Sequence, residues 1–294
     1  MRGGVLARWL AIGAVGVLAL VVAGLALAAY ERAHPTESTG TIAPVPTFTL
    51  GVTTPTPTPT PETYPADQQR LLSIGSTQWW RATAGACGGR APVIERSSDG
   101  GATWSDVTPN YLGIEQVLTL DAFTGADAEV VAGAAGCNAQ ALRTYTRGEF
   151  WESYPDVLAA SRFVEPKDAA SVRFPSGPVP APCDAATGLH AQGDVVVLLC
   201  DARAWSWTGG EWRQLAPDGA VGLAIDGEDV VVAHTSDDCD GVAISRVAPS
   251  VPDSPTAIGC ATGVDAAAPL AIDLAGGAVL LWSADALLTV PASR

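Results

Sequence analysis

The strongest constraint on this chain is a phrase that recurs: a Leu-led strand, a turn usually carrying Gly, and a second strand rich in Val or aromatic residues. It runs as Leu72-Ser73-Ile74-Gly75 into Trp79-Trp80, and as Leu120-Asp121-Ala122-Phe123-Thr124-Gly125 into Glu129-Val130-Val131. It returns as Leu189 to Asp194 into Val195-Val196-Val197, as Leu223 to Gly227 into Val230-Val231-Val232, and as Leu270 to Asp273, through Gly276-Gly277, into Val279-Leu280-Leu281-Trp282. β-Branched runs bounded by Gly and Asp are strand-turn-strand signals. Recurrence every ~40–50 residues, with about four strands per unit, is the sequence signature of propeller blades. The Val runs do not alternate, which suits inner strands covered on both faces by neighbouring blades. The expectation is therefore all-β: a β-propeller of five four-stranded blades over residues 67–294. The widest interval, from Leu189 back to Leu120, contains a Pro-rich stretch at 152–182; it would make a sixth, degenerate blade but reads better as an insertion loop. A β-sandwich, the competing architecture, predicts no such recurrence.

A second phrase closes three of the units. Ser97-Ser98-Asp99-Gly100-Gly101-Ala102-Thr103-Trp104 has the form Ser-x-Asp-x-Gly-x-Thr-Trp. Short Ser and Asp side chains satisfy the backbone of a tight hairpin, Gly accepts positive φ, and Trp returns into the sheet. The same offsets carry Thr144, Thr146, Gly148 and Trp151, while a third unit keeps only Gly209 and Trp212. Ser97, Asp99, Gly101, Thr103 and Trp104 closely resemble the Asp-box, or bacterial neuraminidase repeat, of sialidase-like propellers. The resemblance implies a structural hairpin turned away from the ligand-binding mouth.

Ahead of the repeats, Trp9 to Ala29 is an unbroken uncharged, mostly apolar run, preceded by Arg2 and Arg8. Such a run spans ~30 Å as a helix, one hydrocarbon core. The positive flank predicts a cytoplasmic tip (1–8), a transmembrane signal anchor (9–29) and everything later outside the cytoplasm. Cleavage after Ala26-Leu27-Ala28 and secretion is the alternative. Residues 30–66, centred on Thr54-Pro55-Thr56-Pro57-Thr58-Pro59-Thr60-Pro61, offer no apolar face and read as a disordered Pro/Thr-rich spacer. The formal net charge is −15 and Lys167 is the single lysine, which opposes nucleic acid as a partner.

All six cysteines lie beyond residue 86, in the part expected outside, where disulfides persist. Local spacing suggests Cys183 with Cys200 and Cys239 with Cys260, leaving Cys87 with Cys137. No Cys-x-x-Cys occurs and His34, His190 and His234 are scattered, so no metal or other cofactor is expected.

The resemblance invites a sialidase label that the residues do not sustain. Arg90-Ala91-Pro92 is the nearest match to the family's Arg-Ile-Pro, and no tyrosine follows Tyr154 to serve as the late nucleophile. Asp226 and Asp273 end inner strands and read as turn residues. Asp237, Asp238 and Asp240 lack Ca²⁺-loop spacing, and His190 and His234 read as packed or surface histidines. The expected function is a non-catalytic binding or scaffold module for an extracellular protein or glycan, held at the membrane. A divergent sialidase-like glycoside hydrolase is the alternative.

Overall fold

The computed structural model describes residues 23–25, 27 and 66–291, so the expected tip, most of the anchor and the spacer lie outside the described residues. Among the described residues no helix is long and apolar enough to cross a membrane. Two compact units are distinguished, 1–57 and 58–294, and the second contains the whole repeat.

That unit is a β-propeller of six blades. Blade 1 comprises β1 (Arg70–Ile74), β2 (Trp79–Thr83), β3 (Val93–Ser97) and β4 (Ser105–Asp106). Blade 2 comprises β5 (Ile114–Ala122), β6 (Ala128–Ala134), β7 (Asn138–Thr144) and β8 (Glu152–Ser153). Blade 3 has three strands, β9 (Phe163–Glu165), β10 (Asp168–Phe174) and β11 (Gly177–Pro180). Blade 4 holds β12 (Thr187–Gln192), β13 (Val195–Cys200), β14 (Arg203–Thr208) and β15 (Glu211–Leu215); blade 5 holds β16 (Ala220–Asp226), β17 (Asp229–His234), β18 (Gly241–Val247) and β19 (Thr256–Thr262). Blade 6, again three-stranded, is β20 (Leu270–Ala275), β21 (Ala278–Ser283) and β22 (Ala286–Pro291). Every blade is an antiparallel meander. The five Leu-led phrases are the inner strands β1, β5, β12, β16 and β20, and the Val-rich segments are the second strands.

The stretch 152–182 is a blade and not an insertion loop. Its reason for escaping notice is topological. The other first strands run from one face of the ring to the other, but β8 is two residues long, and the chain stays on the face it has reached through a short helix at Pro155–Ala160. Three strands then carry it back to the face where β12 must begin. Its first strand, β9, packs beside β5 and β12 with reversed direction, so it shows neither the Leu-led phrase nor the Gly-to-Trp one. Val172 and Phe174 of β10 are buried at alternate positions, which half-buried strand geometry requires.

Successive blades bury apolar faces on one another. Trp80, Ile94, Val117, Val130, Leu142 and Trp151 make one core between blades 1 and 2, and Val231, Ile244, Ile272 and Leu281 make another between blades 5 and 6. The ring closes by packing of the first blade on the last. Leu72 meets Leu280 and Trp282, Arg70 donates to the Ala284 carbonyl at 2.6 Å, and its guanidinium lies 4.3 Å from the Trp282 ring. Cys87 is joined to Cys137, Cys183 to Cys200 and Cys239 to Cys260, with Cα separations of 5.8, 5.7 and 5.9 Å. The first ties the loops of blades 1 and 2 together, the second fastens the end of blade 3 to blade 4, and the third lies within blade 5.

Candidate functional site at the channel mouth

The hairpin residues singled out in the sequence form a self-contained hydrogen-bonded turn. Ser97 Oγ accepts from the Gly101 amide at 2.8 Å and donates to Asp99 Oδ1 at 2.7 Å. Asp99 in turn accepts from the Thr103 amide at 2.9 Å and the Thr103 hydroxyl at 2.6 Å. These bonds, the Thr103 hydroxyl first, lower the Asp99 pKa to about 2. Thr144 accepts from the Gly148 amide at 2.8 Å and Thr146 from the Phe150 amide at 2.8 Å, so hydroxyls replace both Ser97 and Asp99. Gly101 and Gly148 share a φ of +86°, and a Cβ on either would fall within 2.6 Å of a neighbouring side chain. In blade 4 the turn has shrunk to Gly209-Gly210, with Thr208 paired to Glu211. Ser206 and Thr208 keep the paired hydroxyls at 3.3 Å, a remnant that the loss of the wider turn hides in the sequence.

Each motif tryptophan reaches toward the preceding blade. Trp151 donates from Nε1 to the Val107 carbonyl of blade 1 at 3.1 Å, and Trp212 to the Pro180 carbonyl of blade 3 at 2.9 Å. Trp104 donates within its own turn, to the Gly101 carbonyl, while its ring joins the cluster of Trp282 and Leu287 from blade 6. The residues named in the sequence thus build the hairpins and the seams between blades, and they do not converge on one site.

The cavities lie elsewhere. Five inner strands end on the face that carries these hairpins, because each blade's third strand leaves the ring on the same side as its first. There, Ser73, Asp121, His190, Gln192, Ile225 and Asp273 surround the axis in a cavity of about 280 Å³. Leu120, Asp121, His190 and Ala191 also line a second cavity of about 370 Å³, which extends outward between blade 2 and the helix Pro155–Ala160. The two form one groove. The groove opens on the hairpins' own face; the mouth that the resemblance implies would lie on the opposite one. A further cavity of about 280 Å³ lies on the opposite face, at the start of the inner strands, beside Gln69, Cys87, Gln116 and Thr187.

Asp273 and Ser73 work as clasps between blades. Asp273 accepts from the Ile74 amide at 2.6 Å and from its neighbour Leu274 at 2.8 Å, while Ser73 accepts from the Ala122 amide at 2.8 Å. Burial at the channel nevertheless raises the Asp273 pKa to about 6. The Asp121 carboxyl has no hydrogen-bond partner among the described residues. It is open to solvent along the channel yet walled in by the surrounding strands. That desolvation, with the nearby charges of Glu129 and Asp273, raises its pKa to about 7. Burial lowers the His190 pKa to about 4, so its ring is neutral at physiological pH.

Further out, Glu129 and Arg143 face each other across β6 and β7, with Nε to Oε2 at 2.6 Å. The Arg143 guanidinium lies 4.9 Å from the Phe123 ring and 5.8 Å from Tyr154, and Tyr145 completes an edge-to-face trio with them. None of Asp121, Arg143, Tyr145 or Arg162 was expected as a site residue. They come from separate stretches of the chain, and Asp121 is one of several polar residues on β5, so no local signal sets it apart.

The remaining candidates are structural. His234 hydrogen-bonds Ser245 and the Thr235 carbonyl, both at 2.9 Å, within blade 5, and Asp226 pairs with Arg246. Arg90, of the Arg-Ala-Pro sequence, stands exposed 3.9 Å from Asp67 near the opposite face. Among the described residues the one cluster with metal-ligand spacing is Cys87, Glu115 and Cys137, whose sulfurs are joined in the disulfide.

By sequence, no family model and no curated protein matches the chain. Solved structures with related architecture include the SapL1 lectin in complex with alpha methyl fucoside, at 10% identity and TM-score 0.45, covering 78% of this chain and 96% of that one. AofleA from Arthrobotrys oligospora has 10% identity and TM-score 0.41, covering 78% and 88%. The GH43_1 enzyme from Xanthomonas citri has 9% identity and TM-score 0.39, covering 76% and 86%. Nothing is carried over from these likenesses: the six-bladed β-propeller is read from the chain's own strands, and what it binds has to be read from its own residues.

Proposed function

We propose that the chain is a membrane-tethered, extracytoplasmic propeller that binds an extracellular protein or glycan without chemically changing it. One observation supports this above others. Of the two inner-strand carboxyls at the axis, Asp273 spends both oxygens on backbone amides, one on Ile74 of blade 1 and one on its own neighbour Leu274. Glycoside hydrolysis needs two opposed carboxyl groups, each free to act on substrate or water. At the axis Asp121 stands alone in that condition, and Glu129 is committed to Arg143. A rigid ring with an open groove on one face suits presentation of a binding surface, and the tether follows from the apolar run at 9–29 and the Pro/Thr spacer.

Hydrolysis is the second reading, and Asp121 is its ground, since a carboxyl with a pKa of about 7 is poised to donate a proton at neutral pH. One experiment separates the two. The purified full chain is offered a panel of polysaccharides and oligosaccharides, scoring both retention and release of reducing ends. Retention without release supports a binding module, whereas release that disappears in Asp121→Asn would make the protein a hydrolase. Protease shaving of intact producing cells tests topology: loss of the propeller with survival of the N-terminal segment is expected, and full protection would refute the outward orientation.

A further inference from the structure

Two ion pairs in adjacent blades have the same construction and different surroundings. In blade 1, Arg81 pairs with Glu95 at 2.7 Å across β2 and β3, and its guanidinium sits 4.3 Å from Trp104 and 4.7 Å from Trp282, inside the closing seam of the ring. In blade 2, Glu129 pairs with Arg143 across β6 and β7, again between aromatic rings. Here the rings are not covered. Phe123 is 39% exposed and Tyr145 53% exposed, and the pair itself lines the groove that leads to Asp121. The blade whose tryptophan-rich seam would cover them is the one that begins with a helix instead of a strand.

From this geometry we infer that the groove lined by Asp121, Glu129, Arg143 and Arg162, extended by the exposed Tyr145 beyond Arg143, is a binding site for an uncharged sugar, one ring packed on Tyr145 and its hydroxyls held by Arg143, Glu129, Arg162 and Asp121. The inference rests on the binding-module reading above and names its ligand class. A pyranose offers electropositive C–H groups on one face and hydroxyls around its rim, so it wants the electronegative face of an aromatic ring beside mixed donors and acceptors. The groove lining supplies the donors and acceptors, and its Arg143 adjoins the exposed rings of Phe123 and Tyr145 just outside it. Arg143 and Arg162 donate, while Asp121, Glu129 and Asp156 accept. Arg143 engages Glu129 through Oε2, from both Nε and a terminal guanidinium nitrogen, which leaves Oε1 to face a hydroxyl.

Charge selects among sugars. Two arginines face Glu129, Asp156 and a half-protonated Asp121, with His190 neutral, so the groove is close to balanced at neutral pH. An anionic sugar would meet three carboxyl groups, and a cationic one would meet a guanidinium already seated against Phe123 and Tyr154. Burying either charge without a partner costs more than hydrogen-bonding neutral hydroxyls.

The test uses the full chain in detergent and a panel of neutral methyl glycosides (hexose, deoxyhexose, pentose and N-acetylhexosamine), with sialyllactose and glucosamine oligomers as charged probes. Binding is read by saturation-transfer NMR and by titration. At least one neutral glycoside is expected to bind, with Tyr145→Ala and Arg162→Gln each weakening it by about tenfold or more. Asp194→Asn, in the separate groove between blades 4 and 5, is expected to leave affinity unchanged. Tyr145 is exposed, so loss of binding by a variant with an unaltered melting temperature reports the site and not the fold. Preference for a charged probe overturns the inference, as does neutral binding that survives both groove variants. No binding of any neutral glycoside at about 10 mM also overturns it. In that last case the binding-module reading is judged separately, by whether the same preparation retains an extracellular protein without turnover.

Discussion

Truncating Trp151 to alanine tests whether the Gly-to-Trp hairpins hold the ring together or merely decorate its rim. The side chain is 2% exposed, meets Trp80 edge-to-face at 6.0 Å, and donates to the Val107 carbonyl of the preceding blade at 3.1 Å. Removing a buried tryptophan costs ~3–5 kcal/mol through lost contacts and the cavity left behind, with the orphaned Val107 carbonyl contributing about 1 kcal/mol within that range. For a domain of this size that corresponds to a melting-temperature drop of roughly 6–20 °C. Trp104 is the internal comparison. It is half-buried, its Nε1 bond stays within its own turn, and its chief contact is the Arg81 guanidinium at 4.3 Å. Trp104→Ala is expected to cost ~1–2 kcal/mol, or about 2–8 °C. Thermal unfolding followed by near-ultraviolet circular dichroism, with denaturant titration as a second measure, gives both values. Equal losses, or a larger one for Trp104, would refute the claim that Trp151 acts as a wedge between blades.

Gly148→Ala should lower the melting temperature more than Gly209→Ala: both have positive φ, but a Cβ at 148 falls 2.6 Å from Val107 while one at 209 meets open space. Equal effects would show that backbone strain alone matters. Asp99 has a depressed pKa, so its stabilising contribution is present above the ordinary carboxylate range and fades as pH falls toward 2. The wild type should therefore be the more stable above pH 4 and converge with Asp99→Asn at the acid end; a constant gap across pH would contradict this. Asp121 has the opposite sign. Its raised pKa means that the fold is favoured fully only below the ordinary carboxylate range and loses that benefit progressively as pH rises through about 7, so the advantage of Asp121→Asn in melting temperature should grow across mild acid to neutral pH and level off above it, and a uniform shift would refute it.

The second strands were legible because burial on both faces writes itself as uninterrupted Val and Leu, as in Val230-Val231-Val232 of β17. Blade 3 was not, because none of its strands carries this signature. Its β11 reads Gly177-Pro178-Val179-Pro180, a composition that suits loops and is tolerated here at a blade edge. The hairpins were legible for a different reason: their hydrogen bonds join residues two to four apart, so Ser97, Asp99, Gly101 and Thr103 specify them locally. The groove has no such economy. Arg143 and Asp121 are brought together by the pairing of β5, β6 and β7, and the helix that walls the cavity is defined by where a truncated strand stops.

That truncation connects fold to site. A regular blade 3 would begin with a strand running from the opposite face, and its hairpin turn would stand beside blade 2 as blade 2's stands beside blade 1. Trp151 fills that seam between blades 1 and 2, buried against Trp80 and bonded to Val107. Between blades 2 and 3 the corresponding space is bounded by Asp156, Val157 and Ala160 of a two-turn helix, and it remains a cavity of about 370 Å³. The same omission frees Arg143 and its aromatic neighbours from cover, whereas Arg81 is closed in by Trp104 and Trp282. The groove at Asp121 therefore lies beside the blade that breaks the repeat, and replacing the helix Pro155–Ala160 by a connection that runs on to the opposite face, as the chain does after β4, should close it while leaving the other seams intact.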